Sequence, residues 1–293
     1  MLLHRILNLE DKDEVFLAEE SLGDLIALPM TSELLSSRME ADEAIELEGG
    51  FGVALHLSEP ADFWLLLTEK YSKSKMLESF RLEHDRLAWR TAKTSEREFF
   101  EAVFEYFSNS LAGELFCEYC DVREGPLYVE DRIRRLESFL QPILPRKMSL
   151  LEVCSGNGMA SQSLHRLGFQ PFSMELDRCE ICQALKAEKL EPNRSFVLDA
   201  RLLNRFFKPG SFDAVVGFMV GLVDQVNWNM WREILLTSSN LASRMALYTV
   251  YTQREAELIA KSLHDAGWVV SLIDNRDPSG IYDQWAVQAE RKS

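Results

Sequence analysis

The chain has 293 residues, 46% of them hydrophobic and 27% charged, a composition typical of a globular protein of about two domains. It carries 47 acidic and 32 basic residues, and the net charge of −15 argues against binding by neutralisation of nucleic-acid phosphates. The longest uncharged apolar run, residues 214–223, is too short to span a membrane, and the N-terminus lacks a signal-peptide pattern. Five cysteines do not suggest a secreted disulfide scaffold, so the sequence predicts a cytoplasmic protein that does not bind a membrane.

Helical signals dominate the first half of the chain. Residues 95–98 have the Ser-x-x-Glu pattern of a capping box, and an apolar stripe at helical spacing follows them. A proline can open another helix over residues 60–67. A glycine-rich stretch interrupts these helices, and residues 53–57 after it can form a strand. The sequence therefore predicts an acidic, mostly α-helical N-terminal domain over residues 1–125.

The second domain, predicted over residues 126–293, alternates apolar strands with helices. Strands are predicted over residues 148–153, 169–175, 195–199, 212–217 and 245–250. Helices are predicted over residues 129–140, 159–167, 177–190, 228–241 and 253–266. The last two strands, 268–273 and 281–289, are separated by turn residues alone, which predicts an antiparallel hairpin. The fold class is therefore α/β, with a doubly wound, mainly parallel sheet of seven strands that ends in an antiparallel C-terminal hairpin.

A glycine-rich loop, residues 154–158, joins the first of these strands to the first helix. Its two glycines let the backbone turn sharply and approach a ligand, although a tight turn without a ligand is the alternative for the loop alone. Three acids lie in or at the end of three successive strands: Glu152, Glu175 and Asp199. Glu152 can face a cationic amine, and Glu175 can accept hydrogen bonds from both hydroxyls of a ribose. Asp199 can accept a hydrogen bond from the exocyclic amine of adenine. The pattern suits an adenosine compound with an amino-acid tail.

These motifs together resemble those of class I S-adenosylmethionine-dependent methyltransferases. The resemblance rests on residues 152–158, Glu175, residues 198–200 and 212–216, and the terminal hairpin. It implies that S-adenosylmethionine is the cofactor and that its methyl group is transferred to an acceptor. The cofactor-binding residues that it implies are Glu152, Cys154, Ser155, Gly156, Asn157, Gly158, Glu175, Leu176, Asp199, Ala200, Gly217 and Phe218.

The resemblance also implies a role for each part of this set. The backbone of residues 154–158 would pass under the methionine moiety, with Glu152 helping to hold it. Glu175 would hold the ribose, and Asp199 with Ala200 the adenine. Gly217 and Phe218 would lie beside the sulfonium and the acceptor. One departure is that Cys154 stands where the family usually has glycine.

Three other functions share this type of fold. A nicotinamide-dependent oxidoreductase would require a third glycine where Ser161 stands. An aminopropyltransferase would usually have a glycine-richer first loop and more acids after the fourth strand. A non-catalytic binding or scaffold protein with a relict cofactor fold is the third alternative, and the Cys154 departure keeps it open.

The methyl acceptor is less well specified by the sequence. Residues 217–222 lack the Asn/Asp-Pro-Pro-Tyr/Phe pattern of many enzymes that methylate exocyclic or amide nitrogens. Together with the acidic net charge, this argues against DNA bases as the methyl acceptor. Asp224, Tyr251 and Tyr282 are candidate acceptor-side groups, although they can equally be solvated loop residues. No catalytic base is assigned, because an activated methyl donor requires one only when the nucleophile must lose a proton. A small-molecule acceptor is favoured over protein or RNA.

Residues 1–60 hold 14 acidic and 3 basic residues, a net charge of −11. The N-terminal domain is expected to act as a lid over the cofactor, to shape the acceptor pocket, or to bind a cationic protein partner. A solvated acidic surface is the simpler alternative.

Two Cys-x-x-Cys pairs, Cys117 with Cys120 and Cys179 with Cys182, have the local spacing of metal ligands. The 58 residues between the pairs are far outside the spacing of a zinc ribbon. No metal is therefore predicted, and a zinc site that ties the two halves together is the alternative.

Overall fold

A computed structural model of the chain describes residues 1–37, 41–59, 61–84, 86–113, 129–278 and 280–291. The chain divides into two compact units, Met1–Gly113 and Glu114–Ser293. The predicted domain boundary, between residues 125 and 126, lies outside the described residues. No helix in the described ranges is long and apolar enough to cross a membrane.

The first unit is built on a five-stranded mixed sheet. Its elements are α1 (Leu2–Leu7), β1 (Val15–Leu17), α2 (Asp24–Ala27), α3 (Pro29–Ser36), β2 (Glu43–Leu47), β3 (Gly52–Leu57), β4 (Phe63–Leu67), α4 (Met76–Glu83), β5 (Ala88–Ala92) and α5 (Glu96–Ala112). The strand order is β1-β4-β3-β2-β5, with β3 antiparallel to both of its neighbours. Apolar residues of β2, β3 and β4 form a core with Leu77 and Phe80 of α4.

In the described part of the first unit helices hold more residues than strands, but the five-stranded sheet at its centre was not predicted, apart from the strand at residues 53–57. The predicted helix over residues 60–67 is replaced by β4, whose backbone pairs with β1 and β3. A run of five apolar residues shows no alternation of apolar and polar residues that would distinguish a buried strand from a helix. Its conformation is therefore decided by the strands that pair with it. The predicted strand at residues 53–57 is confirmed as β3.

The predicted capping box begins α5. The Ser95 hydroxyl accepts from the Glu98 N–H, and the Glu98 carboxylate accepts from the Ser95 N–H. These two bonds satisfy backbone donors that the first turn leaves unpaired. The apolar stripe that follows, including Phe99, Val103 and Phe104, is buried.

The second unit contains α6 (Val129–Leu140), β6 (Leu150–Val153), α7 (Ser161–Arg166), β7 (Phe172–Glu175), α8 (Arg178–Lys186), β8 (Ser195–Val197), α9 (Leu203–Phe206), β9 (Phe212–Gly217), α10 (Trp228–Asn240), β10 (Ala242–Val250), α11 (Gln253–Asp265), β11 (Val269–Asp274) and β12 (Trp285–Glu290). Its seven strands have the order β11-β12-β10-β9-β6-β7-β8. The strands β6 to β10 are parallel, and β12 is antiparallel to β10 and β11. The predicted seven-stranded α/β fold with its reversed C-terminal hairpin is confirmed.

The strand order fixes where a ligand can bind. From β6 the chain proceeds outward through β7 to β8, then returns to the other side of β6 as β9. Loops that leave the carboxyl ends of β6 and β9 therefore diverge, and ligands of open α/β sheets bind in the crevice that this creates. Leu150 of β6, Val216 of β9 and Leu247 of β10 are buried with Leu136 of α6 in one core under this edge.

Candidate functional site

A cavity of about 560 Å³ lies at the carboxyl edge of the seven-stranded sheet. Residues that follow β6, β7, β8 and β9 line it, together with one face of α10 and Arg132 of α6. Nine of the twelve residues that the resemblance implies are among them: Cys154, Ser155, Gly156, Asn157, Glu175, Leu176, Asp199, Ala200 and Phe218. The sequence pattern thus brings together residues from four separate strand ends.

The other three residues lie beneath the cavity rather than on its wall. Gly158 has φ +75°, and a Cβ there would come within 3.1 Å of Leu190. Gly217, at the end of β9, would bring a Cβ within 2.6 Å of Val220. Both glycines therefore allow close packing beneath the site, and the third residue, Glu152, is wholly buried.

Glu152 is held inside the sheet by two serines. The hydroxyls of Ser161 of α7 and Ser173 of β7 donate to its Oε2 over 2.6 and 2.8 Å. Its Oε1 is also buried and has no hydrogen-bond partner among the described residues. Burial raises the pKa of Glu152 to about 7, although the two serine hydroxyls and the charge of Arg132 act in the opposite direction. The carboxyl is therefore poised to exchange a proton near neutral pH.

Cys154 adopts a left-handed backbone conformation, with φ +55°. For a residue with a side chain, this conformation is less favourable than for glycine by roughly 1–2 kcal/mol. The side chain lies on the cavity wall. Burial raises the pKa of its thiol well above the usual range, with the charges of Glu175 and Glu152 adding to the effect. The thiol is therefore a neutral lining group rather than a nucleophile.

Replacing Cys154 with glycine is expected to change the free energy of unfolding by less than about 1 kcal/mol, since relief of the left-handed strain offsets the lost packing and the larger chain entropy. Replacing it with valine is expected to lower that free energy by about 2 kcal/mol, because β-branched residues are disfavoured at positive φ. Chemical denaturation of both variants measures the difference. Cys179→Val, the same change at an exposed position of α8, is the control. A Cys154→Val chain as stable as Cys154→Gly would contradict the strain.

The two other expected ligand-binding acids reach the cavity with their carboxylates already engaged. Glu175 Oε2 accepts from the Gly156 N–H over 3.0 Å, and Oε1 accepts from the N–H groups of Leu176 and Asp177. Asp199 accepts from the Arg201 backbone N–H and from its guanidinium, which lowers the pKa of Asp199. Glu175 therefore fixes the glycine loop against the end of β7, whatever else it binds.

The structure adds cavity residues that the sequence did not single out. On the polar side they are Arg132, Asp177 and Glu180, and on the apolar side Met159, Met230, Trp231 and Ile234 are the main additions. The spacing of Asp177 and Glu180 after β7 is a local signal that could have suggested them. Local spacing could not have identified Arg132 as a cavity residue, because its position depends on a contact with a residue that is distant in the sequence.

Arg132 is anchored by a buried ion pair. Its Nε and Nη2 donate to the two carboxylate oxygens of Asp283, over 2.7 and 3.2 Å. The Thr249 hydroxyl donates to Asp283 over 2.6 Å, and the Arg132 guanidinium lies 4.8 Å from the ring centre of Tyr282. The remaining nitrogen, Nη1, has the Met159 sulfur at 3.5 Å. A positive charge is thus held at the cavity wall next to the start of α7.

The candidate acceptor-side groups do not line this cavity. Asp224 closes its own loop, since its carboxylate accepts from the N–H groups of Val226 and Asn227. Tyr251 and Tyr282 form a ring pair with centroids 6.0 Å apart. The role of all three in acceptor binding stays a prediction.

Only one of the two Cys-x-x-Cys pairs falls in the described part of the chain. Cys117 and Cys120 lie outside it, Cys179 is exposed and Cys182 is buried. No group of three or more metal-ligating side chains is found among the described residues.

No family model matches the chain, and no curated protein matches it. Magnesium protoporphyrin IX methyltransferase from Synechocystis PCC 6803, solved with bound SAM, is 13% identical, with a TM-score of 0.44 over 68% of this chain and 98% of that one. A SAM-dependent methyltransferase from Archaeoglobus fulgidus is 11% identical, with a TM-score of 0.42 over 56% of this chain and 94% of that one. Neither likeness assigns a role to a residue of this chain.

Proposed function

We propose that this chain is a methyltransferase that uses S-adenosylmethionine as its cofactor. The observation that carries the proposal is the cavity at the divergence of the β6 and β9 loops, lined by the glycine loop, Glu175 and Asp199. Such a crevice is where open α/β sheets bind nucleotide-like ligands.

The chemistry of the cavity wall fits this cofactor. Gly156 presents backbone to the cavity, and a Cβ there would meet nothing closer than Glu180 at 3.8 Å. The apolar side, with Leu198, Met230 and Trp231, suits a flat aromatic ring, whereas the acidic side suits hydroxyl and ammonium donors. Arg132 would hold the carboxylate of the amino-acid tail through Nη1, the nitrogen that does not bond to Asp283.

S-Adenosylmethionine, when bound, supplies a methyl group that already carries a good leaving group. What remains for the chain is to align the acceptor with that methyl group and to exclude water. The buried side chains of Phe218 and Val220 form a dry wall at the end of β9 and are suited to the second task. A small-molecule acceptor is the one we propose, because residues 148–293 hold 15 basic and 17 acidic residues and lack the positive excess expected of a nucleic-acid surface.

Isothermal titration of the full chain with S-adenosylmethionine and S-adenosylhomocysteine tests the proposal. We expect one site for each ligand and no binding of NADH. Glu175→Ala is expected to weaken binding by about tenfold or more, since the Gly156 N–H loses a charged partner. Glu257→Ala, on the exposed side of α11, is the control and should bind like wild type. A wild-type chain that binds neither ligand would contradict the proposal, and binding of NADH instead would favour an oxidoreductase.

A further inference from the structure

The edge strand β11 of the seven-stranded sheet is apolar and exposed. It has six residues, and those at positions 269–273 carry no charge. Among the described residues it pairs only with β12, so its other side is open. Val269 and Leu272 on this strand are 51% and 43% exposed. An open apolar edge of this kind is a template for pairing with another chain, and proteins usually protect such edges.

The three other sheet edges in the described part of the chain are protected. The strand β8, at the opposite end of the same sheet, has three residues, of which Ser195 and Phe196 are buried. In the first unit, β1 also has three residues, and β5 carries Arg90, which forms an ion pair with Glu43. Short strands and charged side chains disfavour pairing with another chain. The strand β11 has neither protection over residues 269–273.

The backbone groups on the open side of β11 follow from its pairing with β12. The Asn275 N–H donates to the Gln284 carbonyl over 2.9 Å, directly after the last residue pair of the two strands. Because the backbone groups of alternate residues point to opposite sides of a strand, the odd-numbered residues of β11 also face β12. The N–H and C=O groups of the even-numbered residues, Val270, Leu272 and Asp274, therefore point away from the sheet.

We propose that the chain forms a homodimer in which β11 pairs antiparallel with β11 of a second copy, about a two-fold axis at Leu272. In this register Leu272 bonds to its own counterpart, and Val270 of each copy bonds to Asp274 of the other. Every outward N–H and C=O group of the strand then has a partner, and the two seven-stranded sheets become one continuous sheet. An axis at Ser271 or Ile273 would pair only two of these three residues within the strand.

The distribution of charge favours a second copy as the partner of β11. The chain has a net charge of −15, so two copies repel each other unless they meet at a neutral surface. Residues 269–273 are uncharged, and the Arg276 guanidinium binds both carboxylate oxygens of Asp274, over 2.8 and 2.6 Å. In the proposed register Asp274 lies opposite Val270, so no like charges face each other across the strand pair. A strongly charged partner would find no complementary charge on residues 269–273.

Sedimentation velocity of the full chain at micromolar concentration tests the proposal. Wild type is expected to sediment as a dimer. Leu272→Lys is expected to be a folded monomer, because the two-fold axis places its two ammonium groups directly opposite each other. Leu82→Lys, the same change at an exposed position of α4, is the control and should remain a dimer. A monomeric wild type, or a Leu272→Lys chain that is still a dimer, would overturn the proposal.

Disulfide cross-linking tests the register without relying on the lysine variant. The two Cα atoms of a hydrogen-bonded antiparallel pair are about 5.5 Å apart, within the range that a disulfide spans. Leu272→Cys is therefore expected to give a covalent dimer on oxidation, and a reductant should reverse it. Val269→Cys, exposed on the same strand, is the control. In this register it lies roughly 20 Å from its counterpart, at the usual rise per strand residue, and should link no more than wild type. Equal linking of the two variants, or no linking of Leu272→Cys beyond that of wild type, would overturn the proposed pairing.

Discussion

Replacing Asp283 with asparagine is expected to lower the free energy of unfolding by about 3–5 kcal/mol, because it leaves the Arg132 charge buried without a counter-charge. Asp283 and Arg132 are 2% and 9% exposed, and two hydrogen bonds join them. Asparagine has nearly the same shape and tolerates the left-handed φ of +56° at this position, so the change removes the charge and one hydrogen-bond acceptor while leaving the packing intact. Urea denaturation of the full chain, followed by circular dichroism, measures the loss in the transition of the second unit.

The exposed pair Asp274 and Arg276 provides a matched control. Its guanidinium also donates to both carboxylate oxygens, over 2.8 and 2.6 Å, but the pair is open to solvent. Asp274→Asn is therefore expected to leave the free energy of unfolding nearly unchanged. Combining Asp283→Asn with Arg132→Met should cost less than the sum of the two single changes, because no unpaired charge then remains. Equal effects of Asp283→Asn and Asp274→Asn would contradict the argument.

The doubly wound sheet could be predicted because its signals are local. Each parallel strand is a short apolar run bounded by turn residues, and each helix between strands has its own apolar face. The predicted strands at 148–153 and 212–217 correspond to β6 and β9, with the same final residue in both cases. The position of the glycine loop follows directly, since it is the link between β6 and α7.

The first unit was harder to predict because its sheet depends on which strands pair with each other, and the spacing of apolar residues within each strand does not reveal this. Residues of β4 are apolar on both faces of the strand, and Trp64 to Leu67 are all buried. Such a segment satisfies a helical pattern as well as a strand pattern, and a preceding proline is compatible with either. The choice is made by β1 and β3, which flank β4 but lie outside its own sequence window.

The candidate site was also predictable only in part from the sequence. Strand ends predicted the positions of Glu175 and Asp199, but not that backbone N–H groups and Arg201 occupy their carboxylates. Arg132 and Asp283 are 151 residues apart, so no spacing rule connects them. Contacts of this kind are set by how α6 and the loop between β11 and β12 meet at the sheet edge, which only tertiary structure specifies.

Replacing Glu152 with glutamine is expected to remove a pH dependence of stability worth about 3 kcal/mol. The pKa of this carboxyl rises from 4.5 to about 7 on folding, mainly because of burial. The folded state therefore binds the proton more tightly than the unfolded state. The stability that this proton contributes is fully present below pH 4.5, falls as the pH rises through the interval between the two values, and is absent above pH 7.

Denaturation of wild type and Glu152→Gln across pH 4.5–8 measures this effect. The difference between their free energies of unfolding removes the contribution of every other titrating group, because those groups are common to both chains. The free energy of unfolding of wild type, relative to the variant, should fall by about 3 kcal/mol over the range. Asp213→Asn is a control of opposite sign, since the Ser149 N–H and hydroxyl hold the pKa of Asp213 below its usual range. The stability that Asp213 contributes is lost only as the pH falls below the ordinary value of 3.8, so the difference between wild type and Asp213→Asn should stay constant over pH 4.5–8 and shrink only at more acid pH. A constant difference for Glu152→Gln would mean that its buried Oε1 has a partner in solution, and that the carboxyl is ionised in the folded state throughout this range.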